Sequence, residues 1–120
     1  VQDGALAPQT LVQLCMGVPW GAPDDLYTFM AMVNSVPDDW TFSAFSLGRN
    51  QMAYVAAAVL AGGNVRVGLE DNLWLEKGIL AENYQLVERA KTIIENMGAR
   101  VMGPRALREK LGLIKRAPRG

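Results

Sequence analysis

Apolar and polar positions change period several times along this chain, and each change marks an element. Leu11 to Val18 is a near-continuous apolar run that stops at a loop, Gly17 to Pro23. Such a run suits a strand buried on both faces. Asp24-Asp25 can cap a helix whose apolar residues are Leu26, Tyr27, Phe29, Met30 and Val33, and Pro37 ends it. Trp40 to Leu47 is rich in aromatic and hydroxyl residues and reads as a second strand. Gly48 turns the chain, Asn50 opens a helix through Ala56, Ala57, Ala58 and Leu60, and Gly62-Gly63 stops it. Val65, Val67 and Leu69 then alternate with Arg66, Gly68 and Glu70, the period of a strand with one apolar and one charged face. After a loop, Asn83 starts a helix with Leu86, Val87, Ala90, Ile93, Ile94 and Met97 on one stripe, closed by Gly98. Pro104 begins a short last helix through Leu107 and Leu111, ended by Gly112.

The order is β-α-β-α-β-α plus a terminal helix, which predicts an α/β fold with parallel strands and right-handed crossovers. Three strands leave two open sheet edges, which a complete domain protects. The chain is therefore expected to be a small open sheet or a part of something larger. A first residue other than Met favours the second expectation.

Composition narrows the function classes. Half of the 120 residues are apolar, a fifth are charged and the net charge is zero. No global field favours nucleic acid or a membrane surface. Seven of the twelve basic residues fall between Arg100 and Arg119, opposed only by Glu109. That segment reads as a solvated face, with a phosphate-binding tail as the sharper alternative. No apolar run approaches the roughly 18 residues of a transmembrane helix, and no secretory leader is visible. Cys15 is the single cysteine, so no intrachain disulfide forms, and its place in an apolar run suggests a core residue in a cytoplasmic protein. There is no histidine, which rules out a histidine triad or histidine-ligated zinc built from this chain alone.

The candidate chemistry sits on the third strand. A buried arginine and a buried carboxylate are costly unless paired or bound to something, so this strand is expected to carry a site. Along a straight strand Arg66 and Glu70 would lie about 13 Å apart at roughly 3.3 Å per residue, too far for a direct ion pair. Each is then expected to have another partner. Asp71 begins the following loop, where a nearby guanidinium favours the charged form that can take a proton. The residues alone leave blander readings open. Glu70 could cap or salt-bridge at a strand end, Arg66 could hold neighbouring strands, and Asp71-Asn72 could be turn residues. Arg49 lies in Gly48-Arg49-Asn50-Gln51 at a helix N-terminus, suited either to an anion or to the surface. Gly17, Trp20 and Gly21 form either a ligand loop or a tight turn.

The stretch GGNVRVGLEDNLWLEKGILAENYQLVERA resembles the last β/α unit of the beta-keto acid cleavage enzymes, a family that includes 3-keto-5-aminohexanoate cleavage enzyme. LVQLCMGVPWGAP, WTFSAFSLGRNQMA and PRALREKLGL resemble the same family, in order, so the resemblance spans nearly the whole chain. It implies the C-terminal part of a TIM barrel, about the last three β/α units plus a terminal helix, with residues 1–120 belonging to one barrel domain. The upstream N-terminal barrel segment would then be required for a closed barrel. The implied enzyme is a metal-dependent acyltransferase that breaks a carbon–carbon bond. It transfers acyl groups between a β-keto acid and acetyl-CoA, giving acetoacetate and a new acyl-CoA. The resemblance also implies zinc held by two upstream histidines and a glutamate that matches Glu70. It further implies a catalytic aspartate matching Asp71, an arginine partner matching Arg66, a homo-oligomer, and a place in amino acid catabolism. Arg49 is the candidate for the substrate carboxylate or CoA phosphate. The other class of function compatible with the chain is a non-catalytic α/β module that keeps the barrel sequence but acts as a subunit or interaction element.

Overall fold

The structure is a computed structural model, and it describes residues 3–7 and 9–113. Three parallel strands, β1 (Leu11–Met16), β2 (Thr41–Ser46) and β3 (Asn64–Val65), form a sheet in the sequential order β1-β2-β3. The helices α1 (Leu26–Ser35) and α2 (Gln51–Leu60) are the crossovers that parallel pairing requires. A short antiparallel hairpin, β4 (Trp74–Glu76) and β5 (Ile79–Leu80), follows β3 and leads into α3 (Asn83–Asn96) and α4 (Pro104–Leu111). The α/β expectation is met, and each predicted helix is present.

Local chemistry explains the boundaries. Asp25 caps α1, its Oδ1 accepting the Thr28 N–H at 2.8 Å, and Val36 ends the helix just before Pro37. Gly48 and Asn50 bound a single 3-10 turn that feeds α2. Gly62 takes a left-handed φ of 84° after α2, and a Cβ on Gly63 would overlap the Phe42 ring. Two glycines are needed there for two different reasons, one conformational and one steric. Gln85 accepts the Glu82 N–H at the start of α3, and Gly112 closes α4 in the left-handed region.

The helices cover one face of the sheet. Leu14, Met16, Phe42 and Ala44 point to that face and pack with Phe29 of α1 and with Tyr54 and Ala58 of α2. Phe29 and Tyr54 meet edge to face, ring centroids 5.3 Å apart. A second cluster joins Val55 of α2 to Ala90 and Ile94 of α3, with Val65 and Val67 against it. The opposite face carries Leu11, Gln13 and Cys15 of β1 in register with Thr41, Ser43 and Phe45 of β2.

Four expectations change. The first strand is not buried on both faces: Leu11 and Gln13 are exposed, and the strand ends at Met16. Its polar Gln13 already breaks the apolar run, as a one-sided strand requires. Cys15 is only half-buried, because it lies on the face away from the helices. The third strand stops at Val65 instead of reaching Glu70: its pairing with β2 ends at Ala44, and the chain then turns at Gly68. The loop after it holds the β4–β5 hairpin, built around Gly78 at φ 83°. Among the described residues, β1 and β3 have no further strand partner.

Of the basic C-terminal residues, Arg105 and Lys110 of α4 are exposed, and Arg105 pairs with Glu109 at 3.5 Å. No residue of α4 is buried. Lys115, Arg116 and Arg119 lie outside the described residues. Among the described residues no helix is long and apolar enough to cross a membrane.

Candidate active site

The C-terminal ends of the three parallel strands converge, and the charged residues gather there. The Leu47 N–H donates to the Met16 carbonyl at 3.1 Å, joining the ends of β2 and β1. The Gly48 N–H donates to the Asp71 carbonyl at 2.7 Å, joining the loop after β2 to the loop after β3. In parallel α/β folds this end of the sheet is where ligands bind, because the loops there are free to carry chemistry.

Arg66 is the centre of the cluster. Its Nε donates to Asp71 Oδ2 at 3.0 Å and its Nη2 to Asp71 Oδ1 at 3.3 Å, a two-pronged pair. The same Nη2 donates to Glu70 Oε2 at 2.8 Å, and Nη1 donates to Gln13 Oε1 at 2.9 Å. Gln13 Nε2 in turn donates to Ser43 Oγ at 3.1 Å. The guanidinium carbon sits 4.4 Å from the centre of the Phe45 ring. Arg66 thus lies across the non-helical face of the sheet, tying β1, β2 and the loop after β3 together.

The direct Arg66–Glu70 contact corrects the expectation that the two are too far apart. That expectation assumed a straight strand to Glu70. The chain instead leaves the sheet after Val65 and folds back at Gly68, whose carbonyl accepts the N–H groups of Asp71 and Asn72, each at 3.2 Å. The fold-back brings residues 66, 70 and 71 to one point.

The two carboxylates sit in different surroundings. The Asp71 side chain is 5% exposed and the Glu70 side chain 84%. An exposed ion pair contributes about 0–1 kcal/mol, whereas removing one partner of a buried pair costs about 3–5 kcal/mol. Arg66, at 33% exposure, is therefore committed to Asp71 and only loosely engaged with Glu70. Glu70 keeps Oε1 free of any protein partner among the described residues and is available to a ligand. As a metal ligand it would be one donor of several: the chain has no histidine, and no group of three His, Cys, Asp or Glu converges among the described residues. Its donor chemistry is that of one oxygen ligand in a zinc site, and the remaining ligands of such a site would have to come from outside the described residues.

The site also reaches Cys15. Burial pushes its thiol up, the nearby Asp71 carboxylate adds to the rise, and the Arg66 guanidinium opposes it. Arg49 is exposed in the 3-10 turn, next to the Gly48 that binds the Asp71 backbone. It is near the cluster but makes no contact with it among the described residues. Trp20 is fully exposed on the loop after β1, with φ 64°, in a tight turn closed by the Gly21 N–H donating to the Val18 carbonyl.

Sequence reasoning missed Gln13 and Phe45, which hold Arg66 from below, and Ser43, which holds Gln13. Their signal is the odd-numbered positions of β1 and β2, a polar or aromatic stripe inside otherwise apolar strands. It missed Gln51 as well, a buried glutamine whose Nε2 donates to the Gly68 carbonyl at 3.1 Å.

A family profile described as beta-keto acid cleavage enzyme matches residues 1–113. The chain is 67% identical over 115 residues to 3-dehydrocarnitine:acetyl-CoA trimethylamine transferase of Rhizobium meliloti (strain 1021), covering 96% of this chain and 38% of that protein. It is 38% identical over 101 residues to 3-keto-5-aminohexanoate cleavage enzyme of Acetoanaerobium sticklandii, covering 83% and 37%. With 3,5-dioxohexanoate:acetyl-CoA acetone transferase of Paraburkholderia graminis it shares 34% identity over 118 residues, covering 94% and 38%. The chain spans less than two-fifths of the length of these relatives. On the extent of the family match, the chain belongs to the beta-keto acid cleavage enzymes.

Proposed function

We propose that residues 1–120 form the last three β/α units and terminal helix of a TIM barrel. In this reading their converging loops supply part of the active site of an acyl-transferring β-keto acid cleavage enzyme. The observation that carries the reading is the Arg66–Asp71 pair with Glu70 beside it, at the C-terminal ends of parallel strands. Three further features support the barrel. The strands follow sequential order, the helices cover one face, and the other face is lined by Gln13, Ser43, Phe45 and Arg66. In a closed barrel that face would line the interior. The histidine ligands and the strands flanking β1 and β3 would come from residues outside these 120.

In the overall reaction a β-keto acid R–CO–CH2–COO⁻ and acetyl-CoA give acetoacetate and R–CO–CoA, so every atom is conserved and nothing is oxidised or reduced. The methylene between keto group and carboxylate carries the most acidic C–H of the substrate. Asp71 is the base that takes this proton, and Arg66 orients it by gripping both carboxylate oxygens. Glu70 would hold one position of a zinc ion, which when bound would supply a Lewis acid for the keto oxygen. Phe45 and Gln13 fix the guanidinium so that it does not follow the substrate. Arg49, at the adjoining loop, is placed to meet an anionic group, the CoA phosphates or the substrate carboxylate. The same reading makes the protein a cytoplasmic homo-oligomer.

The 67% identity to the R. meliloti protein points to 3-dehydrocarnitine as the β-keto acid. The test is acetoacetate formation from acetyl-CoA and 3-dehydrocarnitine, 3-keto-5-aminohexanoate or 3-oxoadipate, with and without added zinc after chelation. Preference for 3-dehydrocarnitine, lost on chelation and restored by zinc, supports the proposal. Equal use of all three substrates removes the assigned substrate, and activity unaffected by chelation removes the metal.

A further inference from the structure

We infer that Gln51 is a positioning residue for the Arg66–Asp71 pair, holding the loop that carries it through the Gly68 carbonyl. The inference rests on the catalytic reading of Asp71 given above. Gln51 is the first residue of α2 and is 0% exposed. Its Nε2 donates to the Gly68 carbonyl at 3.1 Å, while its Oε1 has no hydrogen-bond partner among the described residues.

A buried amide that satisfies only one of its two ends is a poor structural choice. An unpaired buried acceptor loses its hydration with nothing in return, and an apolar side chain of the same size avoids that cost. The half that is satisfied therefore needs a reason, and its target supplies one. Gly68 is the point at which the chain folds back to bring residues 66, 70 and 71 together. Three residues upstream of Gln51, the Gly48 N–H grips the Asp71 carbonyl at 2.7 Å. On the far side, Asn83 Oδ1 at the start of α3 accepts the Leu69 N–H at 2.9 Å. The β2–α2 corner and the head of α3 clamp the loop from both sides. Within this clamp two helix side chains reach the turn, Asn83 at Leu69 and Gln51 at the Gly68 carbonyl, and Gln51 is the one that holds the carbonyl to which the Asp71 N–H also donates. A displacement of about 1 Å at a reacting group can cost a hundredfold in rate, so a clamp of this kind acts on turnover before it acts on binding.

The experiment uses the natural protein with acetyl-CoA and 3-dehydrocarnitine. Gln51→Met keeps the volume and removes both polar ends. The expected result is an unchanged or raised melting temperature, a kcat lower by about tenfold to a hundredfold, and a KM within about threefold of wild type. A stable Gln51→Met variant with wild-type kcat overturns the inference, as does one whose loss lies wholly in KM. Gln51→Glu decides the matter if the Met variant does not fold. Protonated, the introduced carboxyl can donate to Gly68 as the amide does; ionised, it cannot. Its kcat relative to wild type should therefore rise as pH falls, and a flat ratio across pH overturns the inference. Asp71→Asn in the same assay separates the two claims. A slow Asp71→Asn beside a normal Gln51→Met removes the role of Gln51 alone. Normal rates in both remove the catalytic reading on which it rests.

Discussion

Arg66 holds Asp71 through two hydrogen bonds, at 3.0 and 3.3 Å, although Arg66 comes from a segment whose alternation reads as a strand running on to Glu70. The pair exists because the chain leaves the sheet after Val65. Asp71 is buried and Arg66 is two-thirds covered, so the pair is an anchor as well as a candidate catalytic unit. Arg66→Ala is expected to destabilise the protein by about 3 kcal/mol, the low end for a buried pair that loses one partner. Chemical denaturation of the natural protein and the variant measures it, and a change below about 1 kcal/mol would show that solvent already screens the pair.

Glu70 should behave in the opposite way. Its exposed contact with Arg66 contributes about 0–1 kcal/mol, so Glu70→Gln should leave stability almost unchanged. Metal content and turnover should fall together. Metal analysis beside a thermal melt reads both effects in one preparation. Full zinc occupancy with normal turnover would take Glu70 out of the metal site.

Cys15 is a built-in reporter on this site. Burial raises its thiol most, and the Asp71 carboxylate raises it further. Asp71→Asn removes that charge, so the thiolate fraction at a given pH should grow and alkylation of Cys15 by iodoacetamide should speed up. Arg66→Ala removes the opposing charge and should slow it. Identical rates in all three proteins would mean that the charges do not reach Cys15.

Tyr54 predicts an alkaline limit to stability. Burial against α1, with Asp24 and Asp25 nearby, pushes its hydroxyl up to about 12 from an ordinary 10.0. The folded chain holds this proton more tightly than the unfolded chain. Its contribution is therefore complete below about pH 10 and is lost as pH rises toward about 12. Melting temperatures measured from pH 9 to 12 should fall through that window, and Tyr54→Phe should flatten the part of the fall that Tyr54 causes.

The helices and the first two strands were legible because their signals are local. Asp25, Pro37, Gly62 and Gly98 punctuate the chain by side-chain capping, missing donors and left-handed backbone, none of which depends on distant partners. The third strand misled because alternation reports only which face a residue would occupy if the strand continued. Whether it continues depends on where the chain turns, and here pairing with β2 ends at Val65 before the fold-back at Gly68. The hairpin around Gly78 carried a turn signal, with Trp74, Leu75, Ile79 and Leu80 flanking Lys77-Gly78, but it is too short to stand out by period. At the site, Arg66, Glu70 and Asp71 stood out as charges in an apolar setting. Gln13, Phe45 and Gln51 did not, because their roles arise from parallel register and from a corner 17 residues from Gly68 in the chain.

Acetoacetate formation with Asp71 as the base has a specific isotopic signature. The most direct measurement mixes the natural protein with 3-dehydrocarnitine and acetyl-CoA labelled with carbon-13 in the acetyl group, then follows the label by NMR. Acetoacetate should carry the label at its keto and methyl carbons, and the new acyl-CoA should carry none. With Asp71→Asn the rate should fall by about a hundredfold to ten-thousandfold while zinc is retained. Unlabelled acetoacetate, no acetoacetate at all, or an Asp71→Asn variant as fast as wild type would contradict it.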